Sequence, residues 1–220
     1  MIRISKRLQI IHDMVPKSVV ADIGSDHGKL MVALVQSGTI AKGYAVENKE
    51  GPFERLRSNL TRYHVNDKIT PLFSDGLKDI PRDVKTIVIA GMGGLNVVNI
   101  LKSHREKLVR VETIIIDAHN AVPTVRKEIC LMGYAIADEK IVKEDGIFYE
   151  IIKFIKAESA ILSDEDLEFG PILRREKSAT FKEKYQNRIE EIDAILAKGS
   201  LPESRIVSLN NERHRLEQNI

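Results

Sequence analysis

VVADIGSDHGKLMVAL, residues 19–34, sets two apolar runs around a corner of two carboxylates, a histidine and two glycines. Residues 19–23 are short and β-branched, which reads as a buried strand. Residues 29–36 are rich in Leu, Met and Ala, which reads as a helix. A strand, a glycine-bearing turn and a helix make the first half of a βαβ unit. The corner therefore lies at the carboxyl end of a parallel strand, where open α/β sheets bind ligands.

Moving outward, the pattern repeats. Residues 42–46, 69–73, 86–90 and 113–117 read as further buried strands. Residues 51–64, 95–107 and 122–132 read as the helices between them. Residues 135–142 and 148–155 are two strands with no helix between, joined by Lys143-Glu144-Asp145-Gly146, and Asp-Gly is a strong hairpin signal. The sheet is predicted to end in an antiparallel pair. Beyond residue 157 the period changes. Phe181, Tyr185, Ile189, Ile192 and Leu196 recur at helical spacing, and Ile206, Leu209, Leu216 and Ile220 continue it, interrupted by Arg213. Lys198-Gly199-Ser200-Leu201-Pro202 separates the two stripes. The prediction is an α/β chain with a Rossmann-like domain over residues 1–157 and a small helical, coiled-coil-like hairpin over 158–220.

Chemistry at the corner follows from charge. A dinucleotide pyrophosphate needs G-x-G-x-x-G and few anionic neighbours. Here Gly24 and Gly28 are spaced G-x-x-x-G, with Asp22, Ser25 and Asp26 around them. Two carboxylates repel phosphate and suit a ligand bearing an ammonium, hydroxyls or a sulfonium. S-adenosylmethionine carries all three. Glu47, followed by Asn48, ends the second strand, where an acid can accept both ribose hydroxyls. Asp75, followed by Gly76, ends the third and can take the adenine amine. The fourth ends in Ile-Ala-Gly91-Met92-Gly93-Gly94, which implies close backbone approach by something flat or bulky. The predicted cofactor set is thus Asp22, Gly24, Ser25, Glu47, Asn48, Asp75, Gly76, Gly91 and Gly93. Each has a plain reading too: Glu47 as a strand-end charge, Asp75 as a turn residue, the glycines as a flexible loop. The Gly91–Gly94 loop lacks the Pro-Pro-aromatic clamp of methyltransferases that act on exocyclic amines, which argues against that target.

Composition sets the limits. A chain of 220 residues that is 43% hydrophobic and 30% charged folds as one ordinary domain plus something small. It contains no apolar stretch of about 18 residues, so no membrane span is expected. MIRISKRLQIIHDMVP lacks the apolar core of a signal peptide, so a cytoplasmic protein is expected. Cys130 is the single cysteine, which excludes an intrachain disulfide and a cysteine cage, and the six histidines lack ligand spacing. No metal is expected. Net charge is +5 over residues 1–157 and −3 over 158–220, compatible with RNA binding without demanding it.

Together VADIGSDHG, AVENKEGPFERL, FSDGL, IVIAGMGG and EDGIFYEIIKF resemble the bacterial TrmK family of tRNA adenine-22 N1-methyltransferases. The resemblance spans residues 3–154, and Phe169-Gly170-Pro171 also fits. It implies S-adenosylmethionine as methyl donor, tRNA as substrate and a coiled-coil C-terminal domain. It also implies Arg7, Asn59 and Met92 on the target-base side. The fifth strand departs from the family's Leu-Gln-Pro type of ending and reads Ile116-Asp117-Ala118-His119-Asn120.

N1 of adenine is a neutral nitrogen with a lone pair, and its methylation leaves a cationic ring. A nearby carboxylate stabilises that charge. Asp26 is the candidate, beyond the glycine that holds the cofactor, and His27 can orient the base. The plainer readings are Asp26 as a helix cap and His27 as a packing residue. Two other classes stay open: a nicotinamide-dependent oxidoreductase on the same sheet, and a non-catalytic RNA-binding protein with a retained cofactor pocket. A monomer or weak dimer is expected.

Overall fold

The computed structural model describes residues 2–158, 160–199 and 201–220. Ser200, part of the predicted linker, lies outside the described residues. The chain runs α1 (Lys6–Met14), β1 (Val20–Ile23), α2 (Lys29–Gln36), β2 (Gly43–Glu47), α3 (Glu50–Arg62), β3 (Ile69–Phe73), β4 (Thr86–Met92), α4 (Gly94–Ser103), β5 (Thr113–Ala118), α5 (Val122–Leu131), β6 (Tyr134–Glu144) and β7 (Ile147–Lys156). Four helices follow: α6 (Asp164–Phe169), α7 (Pro171–Glu176), α8 (Ala179–Ala197) and α9 (Glu203–Asn219).

The seven strands form one sheet in the order β3-β2-β1-β4-β5-β7-β6. Strands β1 to β5 pair in parallel, and β7 slots antiparallel between β5 and β6. Strand order reverses at β1, which makes its carboxyl end the crevice of the sheet. Register aligns Ile23 with Val46 and with Ile89, so Gly24, Glu47 and Ala90 stand in one line along that edge. One face buries Val97, Leu101, Val125 and Ile129 from α4 and α5. The other buries Ile11, Met31, Leu34, Leu56 and Leu60 from α1, α2 and α3. Strands covered on both faces read as continuous apolar runs, which is why the sequence exposes them so clearly.

Several elements differ from the sequence reading. Helix α1 is new, capped by Ser5, whose hydroxyl accepts from Leu8 N. The predicted helix 95–107 stops at Ser103 and gives way to a 3-10 turn, Arg105–Arg110. Helices α6 and α7 are also new. Phe181, Tyr185, Ile189 and Ile192 of α8 are buried with Leu209 and Leu216 of α9, but Ile206 is exposed. Arg213, the interruption in the stripe, pairs with Asp193 at 2.7 Å and Glu217 at 2.9 Å.

A charged seam joins the sheet to the later helices. Arg126 of α5 is fully buried; its Nε donates to Glu139 Oε1 (2.8 Å) and its Nη2 to Glu150 Oε2 (2.6 Å). Its Nη1 reaches the Leu167 carbonyl, Glu139 accepts from Ile172 N, and Lys184 of α8 pairs with Glu150.

Candidate active site

Two cavities of about 380 and 370 Å³ open side by side at the carboxyl edge of the sheet and share Gly24, Asp26, Ala90 and Gly91. The first is walled by Glu47, Asn48, Asp75, Gly76 and Met92. The second is walled by Arg7, Asp22, Ser25, His27 and His119.

The first cavity gathers the predicted acids. Glu47 is buried, and its Oε1 accepts from the amides of Asn48 (3.0 Å) and Lys49 (3.1 Å), which fixes the carboxylate at the strand end. Asn48 Nδ2 donates to Asp75 Oδ1 at 3.0 Å and so ties the second strand end to the third. The amides of Gly24 and Ser25 both donate to Val46 O, which pins the corner against β2. Gly24 has φ +73, a conformation that strains any residue with a side chain, and a Cβ there would also force the tip of Met92, 2.2 Å away, to swing aside.

Asp22 lines the second cavity, two residues before the Gly24 that both cavities share. Burial pushes its carboxyl up to about 6; a 2.6 Å hydrogen bond from Ser25 Oγ opposes the rise and the charge of Glu47 adds to it. A buried carboxylate with no cation beside it gains most from a ligand that brings a positive charge. Ribose acceptors, an adenine acceptor and this cation receptor fit S-adenosylmethionine.

In the second cavity Asp26 adopts φ +45, and its half-exposed carboxylate lies 3.4 Å from His27 Nε2 and 3.6 Å from Arg55 Nη2. The cap reading of Asp26 is overturned: the N-cap of α2 is Gly28, at φ 64, with no side-chain cap bond. His27 is partly exposed, and its ring faces the Asp26 carboxylate. Arg7 reaches in from α1; its Nη1 donates to Asp117 Oδ2 at 2.8 Å, and its guanidinium lies 4.8 Å from the Tyr149 ring centre.

Met92, which the resemblance put on the target-base side, lines the first cavity instead, and two other predicted residues stand behind the walls. Asn59 Nδ2 donates to the His27 carbonyl (3.0 Å) and buttresses the corner. Gly93 caps α4, where Asn120 Oδ1 accepts from Gly94 N at 3.0 Å. Sequence reasoning missed Arg55, Asp117, His119 and Tyr149. Only their grouping in space marks them, apart from the departure at 116–120. No group of three or more potential metal ligands occurs among the described residues, and no helix there is long and apolar enough to cross a membrane.

Comparison with known proteins gives the family of the chain. The family model described as TrmK: tRNA (adenine(22)-N(1))-methyltransferase matches residues 20–220. The tRNA (adenine(22)-N(1))-methyltransferase of Bacillus subtilis (strain 168) is 30% identical over 201 residues, 88% of this chain and 84% of that one. The crystal structure of Streptococcus pneumoniae Sp1610, described as a candidate tRNA (m1A22) methyltransferase and solved with S-adenosyl-L-methionine, superposes with a TM-score of 0.90. It is 32% identical, over 98% of this chain and 99% of that one. The B. subtilis TrmK crystal structure gives 0.88 at 28% identity over 100% of both chains. The chain belongs to the TrmK family of tRNA (adenine(22)-N(1))-methyltransferases.

Proposed function

We propose that the protein methylates N1 of adenine 22 in tRNA, with the nucleoside end of the methyl donor in the Glu47 cavity, its amino-acid end reaching past Gly24 to Asp22, and the target base in the Arg7 cavity. One observation carries the reading. Acids fixed at successive strand ends line a cofactor-sized cavity, and it opens past Gly24 and Gly91 onto a second cavity that ends at a carboxylate. S-adenosylmethionine, when bound, supplies an electrophilic methyl group. Glu47 and Asp75 hold the nucleoside end, and Asp22 receives the amino group. The glycine cradle keeps the two ligands in contact, and positioning accounts for most of the acceleration. Adenine N1 needs no general base. Asp26 faces the positive charge that develops on the ring, and His27 and Arg55 hold its carboxylate in place.

This reading includes a division near residue 157 into a catalytic unit and a helical unit, and action in the cytoplasm as a monomer or weak dimer. The test is incubation of the protein with tRNA and methyl-labelled S-adenosylmethionine, followed by nucleoside analysis. The expected product is 1-methyladenosine at position 22. Label on another atom moves the target. Bound methyl donor without transfer supports the non-catalytic alternative, and a thermal shift with a nicotinamide cofactor instead supports the oxidoreductase.

A further inference from the structure

We propose that Tyr149 and Asp117 are positioning residues that turn the Arg7 guanidinium into a stacking wall for the target base, and that His119 meets the edge of that base. The proposal rests on the reading above, that an adenine enters the second cavity.

A base lifted out of an RNA stack needs a flat partner, and proteins supply aromatic rings or guanidinium planes. The second cavity is lined by no Phe, Tyr or Trp. Its flat side chains are Arg7, His27 and His119. A free arginine is mobile and hydrated, a poor wall. Arg7 is neither: it is partly buried, tied at 2.8 Å to Asp117, and backed at 4.8 Å by the Tyr149 ring. A planar cation packed on an aromatic face keeps its second face for another flat group.

Charge explains the ion pair. Methylation makes the adenine cationic, and an uncompensated guanidinium against it would oppose the reaction. Asp117 cancels that charge. It is fully buried; its Oδ2 accepts from Arg7 Nη1, the Gly91 amide also acts on the carboxylate, and its Oδ1 has no partner of hydrogen-bond geometry among the described residues. An orphaned carboxylate oxygen is costly to bury, and compensation of Arg7 is a reason to retain it. His119 completes the corner. Its amide donates to Met92 O (2.9 Å), its ring packs edge-on to Tyr149, and its Nε2 and Arg7 Nη1 both converge on Gly91.

The test uses the full chain, intact tRNA, and the same tRNA made abasic at position 22. Arg7→Lys keeps the charge and loses the plane; Tyr149→Leu removes the backing; Tyr149→Phe keeps it. Arg7→Lys and Tyr149→Leu are expected to weaken binding of intact tRNA by roughly 5- to 30-fold. Binding of abasic tRNA and of S-adenosylmethionine stays at the wild-type level, and Tyr149→Phe binds as wild type. Asp117→Asn is expected to leave the Kd for tRNA nearly unchanged and to slow single-turnover methylation by roughly 10-fold or more. Equal loss on intact and abasic tRNA makes Arg7 a backbone contact and overturns the proposal, as does no loss at all. If Tyr149→Leu fails to fold, Arg7→Lys decides alone. Wild-type protein that transfers no methyl to tRNA overturns the functional reading and this proposal with it, whereas an active wild type with unaffected variants overturns the proposal alone.

Discussion

Replacing Asp26 by Asn tests the chemistry with little disturbance to the fold. The residue holds φ +45, a conformation that Asn tolerates as well as Asp, whereas alanine would add backbone strain. The side chain keeps its shape and loses its charge. Two unit charges about 4 Å apart near a protein surface interact by about 4 kcal/mol. Arg55, at 3.6 Å, and solvent at a half-exposed carboxylate cancel part of that. About half remains, roughly 2 kcal/mol, and at about 1.4 kcal/mol per decade this is a methyl-transfer step slowed roughly 30-fold. Single-turnover methylation at saturating tRNA and methyl donor measures it, with calorimetry of the methyl donor as control. The expected result is a slow chemical step with near-normal methyl-donor affinity and melting temperature. A wild-type rate would show that Asp26 does not face the developing charge. Lost methyl-donor affinity would place it in the cofactor site.

Three further predictions follow from the acids and the seam. Glu47→Ala is expected to cost roughly 1.5–3 kcal/mol of methyl-donor affinity, the worth of a charged hydrogen bond, and unchanged calorimetric affinity would remove Glu47 from the site. Asp22 has its carboxyl raised from the ordinary 3.8 to about 6, so the folded state retains a proton that the unfolded chain has lost across that window, and stability of the free protein falls as pH rises through it. The free Asp22→Asn protein should therefore melt higher than wild type at pH 7.5, with the gap closing towards pH 4. Methyl-donor affinity of the wild type should fall as pH drops through about 6, and a flat profile would refute the assignment. Arg126→Met leaves Glu139 and Glu150 buried without their cation and is expected to destabilise by about 3–5 kcal/mol in denaturant titration; an unchanged midpoint would show that water reaches the seam.

The strand-helix alternation was legible because β1, β2, β4 and β5 are covered on both faces and carry little polar interruption. That Glu47 and Asp75 line one cavity at the carboxyl edge was legible because an acid at or just past the end of an apolar run falls at that edge. Helix α1 was not read. Its signals were present in Ser5 as cap and in Leu8, Ile11 and Met14 at helical spacing, but they are short and lie among charged residues. The Arg7 wall could not be read locally. Arg7 and Asp117 are 110 positions apart, and Tyr149 reaches them because β7 inserts beside β5, a pairing that no hairpin signal specifies. Asn59 and Gly93 show the reverse error. Resemblance and spacing placed them in the walls, and the structure gives them the work of holding the walls up.

The seam around Arg126 has a mechanical consequence. Swinging α8 away from the sheet would strip Lys184 from Glu150, and lifting α6 and α7 would strip Leu167 and Ile172 from Arg126 and Glu139. Grease tolerates sliding; buried ion pairs hold one alignment or none. The α8–α9 pair is therefore tied to the sheet by charge as well as by apolar packing, and displacing it breaks specific ion pairs and hydrogen bonds instead of sliding over grease.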